Sequence, residues 1–164
     1  MMALVDIRLK LQQAEAQSLT NDDHPIFIAL QDVFNRYPIK LADFETVIEG
    51  MEDDLYPVRN QTWDELRSYC YKVASAVGLI LIEIYGYDDR AARLHAIDLG
   101  IQMQLINVLR DINEDMERGR VYLPLDVLAS HDITLEMLEN EAIAETLAWK
   151  GFVVEYVEVI KRHQ

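Results

Sequence analysis

The sequence predicts an all-α chain, and three observations carry that expectation. Its 164 residues include only four prolines and six glycines, too little turn chemistry for many short strands. Stretches rich in Leu, Ala, Glu, Met and Gln favour helix along most of the length. Between Arg90 and Glu117, apolar and polar residues segregate at helical spacing. A 51% hydrophobic content is enough for one domain with a sizeable core and excludes a disordered chain. No internal repeat, low-complexity tract or Gly/Ser linker marks a domain boundary.

Taken in order, the first helix spans about Ala3 to Ser18 and begins without a capping residue, with Met1 and Met2 running straight into the pattern. That is the expected look of a sequence that starts mid-helix. In Asn21-Asp22-Asp23-His24-Pro25, Asp23 can cap and Pro25 suits the first turn of a helix to about Asn35. A third helix covers about Leu41 to Leu55 and stops at Tyr56-Pro57, because the residue before proline is pushed out of the helical region. Thr62 and Glu65 form a capping box that opens a long helix through Tyr85. Gly86 to Asp88 turn into a second long helix, about Arg90 to Glu117, closed at Gly119. Val121 to Pro124 read as extended, followed by short helices at Pro124–Ala129 and Thr134–Asn140, with Thr134 as a cap. The last helix, about Ala142 to Arg162, carries Val153, Val154, Val157 and Ile160 as an apolar stripe that needs a partner.

Composition narrows the function. A net charge of −14 opposes a nucleic-acid partner, since phosphate contacts need a Lys/Arg surface. One cysteine, Cys70, and scattered His24, His95, His131 and His163 assemble neither a disulfide framework nor a zinc cluster, and a reducing cytoplasmic setting is expected. MMALVDIRLK lacks the basic and apolar regions of a signal peptide. The longest apolar run, Val73 to Ile82, is shorter than the roughly 20 residues that cross a bilayer, so a soluble or peripheral protein is expected.

On the second long helix, placing Asn107 at 0° puts Gly100 at about 20°, Asp111 at about 40°, Gln104 at about 60° and Asp115 at about 80°. Leu99, Ile101, Met103, Leu105, Ile106, Val108, Leu109 and Ile112 make most of the remaining surface apolar, as on a helix buried on several sides. A polar stripe in such a helix is costly unless it meets water, a metal or a ligand. Asp111 and Asp115, at i and i+4, point the same way and can hold Mg²⁺, whose other positions fill with water and phosphate oxygens. Arg110 and Arg118 can meet phosphate charge. From spacing alone, D-x-x-x-D more often means a solvated acidic face, with Arg118 pairing Glu114 along the helix.

The stretch Gln104–Pro124, QLINVLRDINEDMERGRVYLP, closely resembles the second aspartate-rich signature of squalene and phytoene synthases. Ile48–Leu55 (IEGMEDDL) and Tyr69–Gly78 (YCYKVASAVG) agree with the same family in order and spacing, and the resemblance extends from about Leu9 to Ile160. It implies part of an isoprenoid-synthase helical bundle and a head-to-head prenyl transferase, joining two farnesyl or geranylgeranyl diphosphates through a cyclopropylcarbinyl diphosphate. Asp111 and Asp115 would hold Mg²⁺ (or Mn²⁺) with help from Asn107, and Arg110 would contact phosphate. Gln104 and Arg118, with Arg120 beside them, would assist at the substrate diphosphates. Val73, Val77, Leu99 and Met103 match positions lining the prenyl channel, although any helical core uses such residues. Tyr69 matches a tyrosine near the reacting centre, and a plain core tyrosine is its alternative. Asp53 and Asp54 are expected to serve structure rather than metal. The channel must be dry, because water quenches a carbocation to an alcohol.

The chain also departs from the family pattern. No D-x-x-x-D precedes residue 50, so the first aspartate-rich helix is expected to be missing, as are helices beyond Gln164. Residues 1–164 are therefore expected to form a single partial domain, inactive alone because two substrates need both aspartate sites. Ile106 stands for a usual threonine and Asn113 for a common glycine. NADPH enters only if the parent protein completes squalene formation, and the choice between C15 and C20 substrates stays open. Peripheral membrane association is compatible with the resemblance. A non-catalytic relative, keeping the fold as a binding or assembly module, is the competing reading.

Overall fold

The computed structural model describes residues 3–163. Its elements are α1 (Leu4–Glu15), α2 (Pro25–Arg36), α3 (Leu41–Asp53), α4 (Trp63–Cys70), a π-helical turn (Tyr71–Ser75), α5 (Ala76–Tyr85), α6 (Ala92–Arg110), α7 (Ile112–Glu117), α8 (Leu125–Ser130), α9 (Leu135–Leu138), a 3₁₀ turn (Glu141–Glu145) and α10 (Leu147–Lys161). The all-α expectation holds, and among the described residues the one β-bridge joins Arg59 to Val121. The expected continuation of the first helix into Met1 and Met2 lies outside the described residues.

Local chemistry explains most boundaries, with corrections. His24 rather than Asp23 caps α2: its Nδ1 accepts the Ile26 N–H at 3.3 Å, and Pro25 opens the first turn. Asp23 is already engaged by Lys10 Nζ at 2.6 Å and the Thr20 N–H at 2.9 Å. Thr62 accepts the Glu65 N–H as expected, but Glu65 reaches back to the Gln61 N–H, one residue before the position of a standard capping box. Thr134 precedes α9 without a side-chain cap bond.

α4, the π turn and α5 run on as one helix, Trp63–Tyr85, of 23 residues. By length and composition it is apolar enough to cross a bilayer, a property the longest uninterrupted run had not suggested. It packs against α3 and α6, yet only 28% of its apolar stretch is buried. The π turn is where these neighbours come closest. A Cβ on Gly50 of α3 would lie 2.7 Å from Val73 Cγ1, and one on Gly100 of α6 would lie 2.6 Å from the Ser75 backbone. Ser75, fully buried, donates to the Ile97 carbonyl at 2.7 Å.

The main core packs α4, α6 and α10 around Leu66, Ile101, Leu105, Phe152 and Tyr156. A smaller core of Leu11, Ala14, Phe27 and Ile48 joins α1, α2 and α3. The buried face of α10 is Phe152, Tyr156 and Ile160, at steps of four, and Val154 is exposed, which corrects the expected valine stripe. Leu99, Met103 and Ile106 are about half exposed, so α6 is buried on fewer sides than its apolarity implied.

Two features position the site. The ladder between α6 and α7 opens at Asp111 (φ −101°, ψ 17°), where a single long helix had been expected. Asp111 is a weak helix former two positions before another, Asn113, and Arg110 grips its carboxylate from the preceding position. The Asp111 N–H still reaches the Asn107 carbonyl and the Asp115 N–H the Asp111 carbonyl, both at 2.9 Å, so the polar stripe continues across the break. α7 then ends in a Schellman motif: Gly119, at φ 74°, donates to the Met116 carbonyl and Arg120 to the Asp115 carbonyl. This turn sends Val121–Pro124 alongside Val58–Gln61, with Asn60 donating to the Tyr122 carbonyl at 2.9 Å.

Candidate functional site

A groove of about 560 Å³ opens between α5 and α6. Six of the residues singled out from the sequence line it together: Val73, Val77, Leu99, Met103, Gln104 and Asn107. The helix period explains the grouping, since Val73 and Val77, Leu99 and Met103, and Gln104 and Asn107 are each one turn apart. The lining is largely apolar, and Gln104 and Asn107 form a polar end, where the Asn107 amide donates to Gln104 Oε1 at 3.4 Å. Gly100 lies at the floor, pressed on Ser75. His95, not singled out from the sequence, also lines the groove.

Asp111 and Asp115 lie one and two turns beyond Asn107 and outside the groove lining. Their environments differ. The Arg110 guanidinium makes two bonds to Asp111, at 2.5 and 2.6 Å, and holds its carboxyl below the usual carboxylate range. Burial, then the charge of Asp111, pushes Asp115 up, against the pull of Arg120 and Arg118. Arg110 is thus occupied by its neighbour rather than held free for phosphate. Arg118 pairs with Glu114 at 2.6 Å on the exposed face, as helix neighbours do. Among the described residues no three His, Cys, Asp or Glu side chains group to hold a metal ion. Two carboxylates and the Asn107 amide are hard oxygen donors, a set that suits Mg²⁺ only when water and phosphate complete its shell.

Tyr69 is buried one turn before Val73 and does not line the groove; it borders a second cleft with Asp53, Asn60, Glu65 and Lys72. Its hydroxyl donates to Asp54, 3.2 Å from both carboxylate oxygens, and Tyr122 donates to Asp54 Oδ1 at 2.6 Å. The two rings stack with centroids 4.7 Å apart. Arg120 closes the cluster by donating to the Asp54 carbonyl at 2.8 Å. Burial, reinforced by Tyr122 and Asp54, holds Tyr69 far above the ordinary tyrosine range; burial and Asp54 push Tyr122 up to about 12, against the bond from Tyr69. Asp53 pairs with Lys72 at 2.8 Å. Asp53 and Asp54 thus make side-chain contacts within the fold, as expected. The part of Tyr122 was missed, although it sits inside the quoted signature; only the pairing of two extended segments brings it to Asp54.

These features agree with what the chain resembles. A family model described as squalene/phytoene synthase matches residues 1–164. Phytoene synthase 2 of Oryza sativa subsp. japonica is 40% identical over 131 residues, covering 76% of this chain and 32% of the rice protein. The phytoene synthase of Arthrospira platensis is 37% identical over 147 residues, covering 82% of this chain and 48% of its own length. Among solved structures, a squalene synthase HpnC from Alicyclobacillus acidocaldarius superposes with a TM-score of 0.86 at 28% identity, over 98% of this chain and 59% of that one. A dehydrosqualene synthase in complex with ligand gives 0.79 at 28% identity, over 98% and 56%. The chain therefore spans from a third to a half of these curated relatives. With the family model covering the whole chain and the helical architecture matching, the chain belongs to the squalene/phytoene synthase family.

Proposed function

We propose that the chain is part of a prenyltransferase that condenses two allylic diphosphates head to head in isoprenoid or carotenoid biosynthesis, and that the α5/α6 groove takes one prenyl tail. The observation that carries this reading is the groove itself: an apolar trough whose polar end, Gln104 and Asn107, leads along one helix face to Asp111 and Asp115. A prenyl diphosphate has the same polarity, an apolar tail ending in an anion. Val73, Val77, Leu99 and Met103 would hold the tail and exclude water from a developing cation. Asp111, Asp115 and Asn107 would hold Mg²⁺, whose Lewis acidity assists departure of pyrophosphate. Arg110, once released from Asp111, and Arg118 and Arg120 would meet the remaining phosphate charge. Tyr69, one turn before Val73, borders the neighbouring cleft and takes no part in this groove.

This sequence has one D-x-x-x-D pair, whereas the reaction takes two diphosphates, so the chain by itself is expected to bind substrate without turning it over. The phytoene synthases among its relatives weight the reading towards a C20 substrate. The exposed apolar rim of Val77, Leu81 and Tyr85 supports peripheral contact with a membrane, from which a lipid-like substrate would come, and the lone thiol of Cys70 supports a cytoplasmic setting.

Calorimetric titration of Mg²⁺ with farnesyl or geranylgeranyl thiodiphosphate tests the reading. Metal-dependent binding that an Asp111→Ala/Asp115→Ala variant abolishes is the expected result, and the tighter of the two analogues identifies the chain length. A folded chain that binds neither would leave a non-catalytic member of the family.

A further inference from the structure

We propose that His95 is a specificity-determining residue that penalises the fourth isoprene unit of a prenyl tail lying in the α5/α6 groove. The inference rests on the reading that this groove takes a prenyl diphosphate by its tail.

α5 and α6 run antiparallel along the groove, with Gly100 against Ser75 and Gly78 against Ala96. From its polar end the groove runs back along α6 through Met103 and Leu99 to His95, each one turn from the last. α6 is one unbroken helix over Ala92–Arg110, so a rise of about 1.5 Å per residue places Leu99 about 12 Å and His95 about 18 Å from Asn107 along the axis. An isoprene unit adds four carbon–carbon bonds to the main chain of the tail, about 5 Å when extended. With the diphosphate beyond Asn107, toward Asp111, a tail of two units stops short of Leu99. A tail of three passes Leu99 and stops short of His95. Only a tail of four reaches His95.

Two features make His95 unfavourable to that fourth unit. It is exposed to water, whereas Leu81, Ile82, Ala92 and Ala96 around this end of the groove are apolar. A hydrocarbon terminus laid across the imidazole strips water from the ring and returns no hydrogen bond. Nor can the helices part to let the tail avoid the ring. Here Arg93 of α6 pairs with Glu83 of α5, Glu83 also accepts the Tyr87 hydroxyl at 3.0 Å, and Asp43 of α3 lies 3.9 Å from Arg93. One turn along, a Cβ on Gly78 would lie 3.3 Å from the Ala96 carbonyl, so the two helices are close-packed there as well. Leu99, by contrast, offers apolar surface to any tail that passes it. The groove thus favours a third unit at Leu99 and penalises a fourth at His95.

Geranyl, farnesyl and geranylgeranyl thiodiphosphates, each titrated with Mg²⁺ into the whole chain, resolve the groove one unit at a time. His95→Leu is expected to tighten the geranylgeranyl analogue about tenfold and to change the other two less than about twofold, the scale of relieving one uncompensated polar burial. His95→Gln, which keeps a polar side chain, should behave like the parent. Leu99→Ala should weaken the farnesyl and geranylgeranyl analogues alike and leave the geranyl analogue nearly unchanged, which checks the same ruler at a second mark. An unaltered ratio of geranylgeranyl to farnesyl affinity in His95→Leu overturns the inference alone, and so does equal tightening of all three analogues. A folded parent chain that binds none of the three overturns the prenyl-transfer reading and this inference with it.

Discussion

Gly100 and Ser75 meet backbone to backbone: a Cβ added to Gly100 would lie 2.6 Å from Ser75 N and Cα. This contact brings α6 against the π-helical turn and sets the width of the groove floor. Alanine at Gly100 would gain about 1 kcal/mol of helix propensity. The overlap is with backbone, which cannot rotate away, and overpacking of this kind costs about 1–3 kcal/mol or more. The clash should win. Gly100→Ala is expected to lower the urea midpoint, and an unchanged or raised midpoint would show that the helices separate freely.

Asp43 offers a pH test. It is buried on α3, with Oδ2 unbonded and Arg93 3.9 Å away. Burial raises its pKa despite Arg93. The folded state therefore holds this proton more tightly than the unfolded chain, and ionised Asp43 subtracts stability as pH rises above about 4. Asp43→Asn should thus be more stable than the parent at pH 7, with the difference shrinking as the pH falls towards about 4 and gone below it. A variant destabilised at pH 7 would mean that the Arg93 attraction outweighs desolvation. Denaturant melts at several pH values distinguish these outcomes.

Cys70 is fully buried, and burial pushes its thiol up to about 12. It should resist Ellman's reagent at pH 8 in the native chain and react fully in guanidinium, since the thiolate is the reactive form. Rapid native labelling would place Cys70 in a segment that opens readily.

Phe152 and Tyr156 anchor α10 in the main core, both with no exposed surface. Phe152→Ala should cost about 3–5 kcal/mol. Tyr156→Phe keeps the packing and loses only the 3.1 Å bond to the Leu105 carbonyl, for about 1 kcal/mol. Similar losses for the two variants in chemical denaturation would contradict the packing described.

Helix spans were largely legible because each begins or ends on a local signal: Pro25, Thr62, Gly86, Gly119. The misreadings arose where a side chain had a second partner to bind. Asp23 had a lysine to bind, leaving the α2 cap to His24, and the break at Asp111 turns on its neighbour Arg110. The apolar groove residues Val73, Val77, Leu99 and Met103 were named through the family resemblance, because any helical core uses such residues; helical spacing explains why they share one groove. Exposure of Leu99 and Met103 was not legible, since composition reports apolarity and not what covers it.

The sequence by itself determined the helical class, the positions of the long helices, the polar stripe from Gly100 to Asp115 and, through the Gln104–Pro124 signature, the family. Those are properties of short range along the chain, set by propensity, capping and the 3.6-residue period. Tertiary structure alone decided the rest. It placed Val73 and Val77 opposite Leu99 and Met103, inserted the π turn where Gly50 and Gly100 press on it, and brought Asp54, Tyr69 and Tyr122 together across 68 positions. Such contacts depend on which helices pack and in what register, and no local pattern encodes the hydrogen-bond partner of a side chain from a distant segment.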